Sequence, residues 1–209
     1  SAASDVYKRQ LKHNSQTLLD KSPIGLLLED KILGEDIKIS RIKRNSSVKE
    51  HIVSPHYRLP SFEVTYNELN LKFKGNYGII FRAYNEGIAY RFYTTMKGPL
   101  IIKDEMVQMN FPKDYPTFMS YSTMPTGEDQ YAMAFQNLYT KSSIKGVDTN
   151  NIAFLPITID CGNELKMTLL ESDLEDYPGM FIKGDGKNTS LQGTFAHYPC
   201  LLYTSDAAD

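Results

Sequence analysis

Two stretches between Phe62 and Lys74 alternate apolar and polar residues with a period of two, and with the two turn-bounded segments that follow they constrain the fold more strongly than anything else in the chain. Phe62, Val64 and Tyr66 alternate with Glu63, Thr65 and Asn67. Leu69, Leu71 and Phe73 then alternate with Asn70, Lys72 and Lys74. Gly75-Asn76-Tyr77-Gly78 turns the chain into residues 79–84, and Asn85-Glu86-Gly87 turns it again into residues 88–93. Successive side chains on a strand point to opposite faces. Period two between Gly- and Asn-rich turns therefore predicts antiparallel hairpins with one dry face and one wet face. The tyrosines and threonines in these stretches suit a pleated, half-buried surface. No stretch long enough for a helix shows the 3.6-residue period.

The remaining chain reads in the same way. Residues 17–19 and 24–28 are expected as two short extended segments around Ser22-Pro23. Ile37, Ile39 and Ile42 mix with Lys38, Arg41, Lys43, Arg44 and Lys49. This is the most basic part of the chain, expected as a solvated strand pair and its connection, with a binding patch as the minor alternative. Strands are expected at 106–111 and 118–121, with a polar excursion over 122–150. Residues 152–159 read as a buried strand bulged at Pro156. Further strands are expected at 165–170, 180–182 and 191–198. Many short strands at regular spacing predict an all-β antiparallel sandwich of two large packed sheets rather than a parallel α/β sheet. The opening SAASDVYKRQ has no strand or helix period, and CLLYTSDAAD closes no element. Both are expected as non-native tails, at 1–10 and 200–209, flanking one incomplete domain over 11–199.

A net charge of −2 with no dense basic block argues against a nucleic-acid footprint. No apolar run approaches the roughly 18 residues of a membrane span. With Cys200 in the expected tail, Cys161 is the internal thiol, and one thiol forms neither an internal disulfide nor a cysteine-rich metal site. His13, His51, His56 and His197 stand apart from any paired-histidine spacing and read as surface or strand-end imidazoles, with no zinc site expected. Nucleophile-elbow and phosphate-loop motifs are absent.

The dense constellation is acidic. Glu171, Asp173, Glu175 and Asp176 lie between the strand at 165–170 and a Tyr177-Pro178-Gly179 turn. If the strand continued, Glu171, Asp173 and Glu175 would share one face and Asp176 the other. Calcium takes six to eight oxygen ligands, more than this segment supplies, and the spacing is not that of an EF-hand loop. Two readings stand: a solvated acidic turn, or a loop that presents a carboxylate to a hard cation or a sugar.

Tyr66-Asn67-Glu68-Leu69, Ile80-Phe81-Arg82-Ala83-Tyr84, Gly87-Ile88-Ala89-Tyr90-Arg91-Phe92, and Leu170-Glu171-Ser172-Asp173-Leu174 with Tyr177-Pro178-Gly179-Met180 occur in that order. Together with Ser22-Pro23-Ile24-Gly25-Leu26, this set resembles the N-terminal domain of glycoside hydrolase family 97, over residues 11–199. The resemblance implies a large antiparallel β-super-sandwich like that of galactose mutarotase, placed before a catalytic (β/α)8 barrel. It implies a calcium-dependent α-glycosidase acting on an α-glucoside or α-galactoside, exported to the periplasm. The acid and the base or nucleophile belong to the barrel, so no catalytic residue is expected in this fragment, which alone is expected to be inactive. Glu171 matches the family's glutamate that ligates calcium (Ca2+) from the N-terminal domain. Asp173, Glu175 and Asp176 match less specific positions and stay as loop or interface. Competing readings are a stand-alone carbohydrate-binding module using exposed tyrosines, and a mutarotase-like enzyme, which needs His197 paired with a carboxylate.

Overall fold

The computed structural model describes residues 6–54, 58, 60–124, 130–132, 137–174, 177–186, 188–196 and 200–202. The chain divides at Asp36/Ile37 and at Gly98/Pro99 into two compact units. Fifteen strands run through the described residues: β1 (Lys8–His13), β2 (Gln16–Leu28), β3 (Ile32–Leu33), β4 (Ile39–Val53) and β5 (Ser61–Phe73). They continue as β6 (Tyr77–Ala83), β7 (Ile88–Thr94), β8 (Leu100–Asn110), β9 (Pro116–Tyr121) and β10 (Thr140–Ser143). The last five are β11 (Ala153–Asp160), β12 (Lys166–Leu169), β13 (Met180–Gly184), β14 (Ser190–Phe195) and β15 (Cys200–Leu202). The only helical turns among the described residues are two short 3-10 turns, at Gln130–Ala132 and Ile144–Gly146. Every strand pairing is antiparallel, as the period-two reading requires. The all-β, sandwich-class reading therefore holds.

The unit spanning residues 37–98 is a four-stranded meander in the order β4-β5-β6-β7. The basic stretch is not a strand pair. It is one long, largely exposed strand, β4, hydrogen-bonded along β5. The two alternating segments of β5 are likewise one strand, and their apolar face changes between Tyr66 and Leu69. The register with β4 slips opposite this point, between Asn45 and Val48, where Ser47 has a positive φ of 53° and its N–H donates to Asn67 Oδ1. The bulge puts the extra residue into β4, opposite the point where the apolar side of β5 changes. Beside it Arg82 lies 4.3 Å over the Tyr66 ring, its Nε donates to Glu68 Oε2 at 3.1 Å, and the Tyr66 hydroxyl donates to Glu50. The motif residues Tyr66, Glu68 and Arg82 thus meet on adjacent strands and tie this sheet together.

The other unit is an eleven-stranded sheet in the order β1-β2-β8-β14-β13-β11-β9-β10, with β3, β12 and β15 attached at its sides. It curls upon itself. Leu18 and Leu19 of β2 share a buried cluster with Ile157 and Ile159 of β11, four places away in strand order. The Gln16 amide also donates to the Cys161 carbonyl at 2.9 Å. Val107, Met109, Met119, Ile182 and Leu191 complete this core. A smaller cluster on alternate residues, Ile152, Phe154 and Phe181, is covered by Tyr131, so β11 is buried on both faces at Ala153 and Phe154, and β13 at Phe181 and Ile182.

Three expectations change. Residues 17–28 form one strand through Pro23, because the Ser22 hydroxyl substitutes for the interrupted ladder. It accepts from Asn110 N–H at 2.9 Å and donates to the Asp20 carbonyl at 2.7 Å, and Ser22 is fully buried. Residues 8–10, set aside with the opening segment, are the first half of β1, with Lys8 opposite Pro23 and Arg9 opposite Ser22. The Arg9 guanidinium donates to the Pro23 and Gln108 carbonyls, and Val6 before it is buried. Cys200–Leu202, set aside with the closing segment, pairs with β8 as β15. Pro156 does mark a bulge, where the register with β9 shifts between Phe154 and Thr158.

Candidate functional site

Strand β12 ends at Leu169, so the acidic segment is a loop rather than a continued strand. Asp173 has a positive φ of 61°, so Glu171 and Asp173 do not keep the alternation of a strand. Glu175 and Asp176 lie outside the described residues. Leu170 and Leu174, on either side of Glu171, are exposed, at 60% and 43%. Glu171 itself is half-buried. Its Oε1 accepts a hydrogen bond from Met180 N–H at 2.8 Å. Gly179 lies close by, and a Cβ there would stand 3.3 Å from that oxygen, a tight contact. Oε2 has no hydrogen-bond partner among the described residues. Burial raises the Glu171 carboxyl above its ordinary range, and the Met180 N–H partly opposes the shift.

A second carboxylate joins this loop from the sheet. Glu105 on β8 sits in step with Val107 and Met109, on the side that faces the core. Its Oε2 accepts from the Tyr177 hydroxyl at 2.8 Å. The Tyr177 ring packs edge-on against Phe195, with centroids 6.2 Å apart. Burial pushes the Glu105 carboxyl up to about 7; the Tyr177 hydrogen bond and Arg9 oppose that shift, while the charges of Glu171 and Asp104 add to it. A shallow hollow of about 240 Å³ opens beside it, lined by Leu27, Ile32, Asp104, Glu105, Gln108 and Gln192 among others.

The sequence reading missed Glu105, Tyr177 and Arg9 as members of this site. A signal for Glu105 was present: an acidic residue falls where Val107 and Met109 set an apolar rhythm. The two described histidines are not part of it. His13 and His51 are exposed, and His51 Nδ1 lies 2.6 Å from Glu63 Oε1 in the other unit. His56 and His197 lie outside the described residues. Cys161 is a buried free thiol whose pKa burial raises.

The described residues hold no group of three or more His, Cys, Asp or Glu side chains able to bind a metal ion. The loop does fit one part of such a site. Glu171 offers a hard anionic oxygen, fixed through its other oxygen, which is the chemistry calcium takes. The remaining ligands would come from outside the described residues. No helix among them is long and apolar enough to cross a membrane.

The glycosyl-hydrolase 97 N-terminal family model matches residues 3–202. A retaining alpha-galactosidase of Bacteroides thetaiotaomicron is 35% identical over 192 residues, covering 89% of this chain and 28% of that protein. Among solved structures, a beta-arabinopyranosidase aligns over 93% of this chain and 33% of its own, with a TM-score of 0.79 and 17% identity. A glycoside hydrolase family 97 enzyme from Pseudoalteromonas sp. strain K8, in complex with acarbose, aligns over 93% and 30%, with a TM-score of 0.75 and 14% identity. These two likenesses are likenesses of fold. The chain spans under a third of the curated relative's length.

Proposed function

The chain belongs to the glycosyl-hydrolase 97 N-terminal family, and we propose that it is the N-terminal β-domain of a calcium-dependent α-glycosidase. In this reading it packs against a catalytic (β/α)8 barrel of the same protein and lends that barrel Glu171 as a calcium ligand. The observation that supports it most is the Glu171 carboxylate, anchored at Oε1 by Met180 N–H with Oε2 left without a described partner. The exposed Leu170 and Leu174 on either side give the loop an apolar rim suited to docking. An ion held there would supply positive charge to orient and polarise the sugar. Glu171 contributes one oxygen and its position; the acid and the nucleophile or base belong to the barrel.

The 35% identical relative is a retaining alpha-galactosidase, which favours an α-galactoside over an α-glucoside as substrate and retention over inversion. Export to the periplasm follows from the same family reading. The carbohydrate-binding alternative is less well supported. Tyr139 is the exposed aromatic among the described residues, and its hydroxyl is tied to the Pro156 carbonyl.

The test uses the full-length protein. Glu171→Gln should weaken calcium binding, read by titration calorimetry, by at least about tenfold, the loss seen when even an outer partner of a metal ligand is removed. It should not lower the thermal unfolding midpoint of the apo protein, since Gln keeps a carbonyl acceptor for Met180 N–H. Unaltered calcium affinity would sink the assignment. The present chain alone should not hydrolyse an aryl α-galactoside, and measurable turnover would contradict the division of labour.

A further inference from the structure

We infer that Glu105 is a positioning residue: through the Tyr177 hydroxyl it fixes the turn that aims the Glu171 carboxylate. The inference rests on the reading of Glu171 as a ligand and extends it to a residue 66 positions earlier in the chain. The contacts form a continuous relay. Glu105 is carried by β8 and stands opposite Leu26 of β2, between the part of β8 that pairs with β15 and the part that pairs with β14, so its backbone is held from the β2 side. Its Oε2 holds the Tyr177 hydroxyl at 2.8 Å, while Phe195 of β14 holds the Tyr177 ring. Pro178 and Gly179 alone separate Tyr177 from Met180, whose N–H holds Glu171 Oε1 at 2.8 Å.

The seat of Met180 is built to match. A Cβ at Gly193 would come within 2.8 Å of the Met180 sulfur and 3.0 Å of Val107 Cβ, so a residue without a side chain stands where the turn comes down onto the sheet. Glu105 is a costly choice for its place. It continues the core-facing row of Val107 and Met109, where an apolar side chain avoids the desolvation of a carboxylate. A carboxyl group there gives the turn a hydrogen-bond acceptor that no apolar residue offers.

The test has two readouts. In the present chain, Tyr177→Phe and Glu105→Leu should each speed amide exchange at Met180 by about tenfold. The Ile182 and Lys183 amides of the same strand should keep their protection. Glu105→Gln retains an acceptor for the hydroxyl and should restore slow exchange. In the full-length protein, Tyr177→Phe and Glu105→Leu should each weaken calcium binding by about tenfold. The double variant should be no worse than either single one, because both cut the same relay.

If Glu171→Gln weakens calcium binding while Tyr177→Phe and Glu105→Leu change neither readout, the relay is wrong and the ligand reading stands. If protection falls along the whole of β13, Glu105 is merely structural and the inference is overturned. If Glu171→Gln leaves calcium affinity unchanged, the ligand reading fails and the inference fails with it.

Discussion

Glu105→Gln should stabilise the chain near pH 8 and leave it little changed near pH 4. In the folded chain burial raises the Glu105 carboxyl from 4.5 to about 7. The folded state thus binds this proton more tightly than the unfolded state. Its contribution is fully present below the ordinary carboxylate pKa, is lost as the pH rises towards 7, and stays lost above it. A pKa unit corresponds to about 1.4 kcal/mol, so complete ionisation costs about 3 kcal/mol. Gln keeps a carbonyl acceptor for the Tyr177 hydroxyl and cannot ionise. The hydrogen bond from the Tyr177 hydroxyl to the ionised form is already contained in that shift, so the gain at high pH is about 3 kcal/mol. Other groups also titrate. Glu171 is raised by burial and slopes the same way. Asp148, lowered by the Asn150 and Asn151 amides, and Asp160, lowered by Lys166, add stability that is lost only in acid. The difference between wild type and variant cancels the terms that are not coupled to Glu105. Urea unfolding followed by circular dichroism across this pH range measures that difference. If it is flat with pH, Glu105 is not the buried, proton-holding carboxylate described.

Three further substitutions test the packing, each by the shift in urea midpoint. Ser22→Ala leaves the Asn110 N–H without its acceptor in a fully buried place and should cost about 1–3 kcal/mol. Ile182→Ala empties a fully buried position in the main core and should cost about 2–5 kcal/mol. Gly184→Ala drives a Cβ into the Val147 carbonyl, which belongs to backbone that cannot swing away, and should cost about 1–3 kcal/mol. A loss under about 0.5 kcal/mol in any of them would contradict the contact concerned.

The hairpins of residues 62–93 were legible from the period two of β5 and from the Gly- and Asn-containing turns that separate the strands. Segments buried on both faces, such as Ala153-Phe154 of β11 and Phe181-Ile182 of β13, appear in the sequence as short apolar runs, and they were found by their flanking turns. The division of β2 at Pro23 was misread because nothing local announces that the Ser22 hydroxyl meets a backbone amide 88 residues away. Lys8–Gln10 escaped notice for a related reason. The inward position there is filled by Arg9, which reaches backbone carbonyls rather than packing an apolar face. Glu171 could be singled out only by its motif, since four clustered acids look the same whether solvated or not. The contact between Glu105 and Tyr177 depends on how the sheet curls, and sequence spacing carries no trace of it. What the sequence did carry was a charge out of place in an apolar row.

The central claim is that Glu171 reaches a calcium ion completed by another part of the protein. The most direct measurement is a crystal structure of the full-length protein grown with calcium, with the ion located by its anomalous scattering. The account predicts a calcium ion about 2.3–2.6 Å from Glu171 Oε2, with Oε1 still held by Met180 N–H and the other ligands supplied by the catalytic barrel. A fully coordinated ion elsewhere in the active site, with Glu171 left facing solvent, would contradict it.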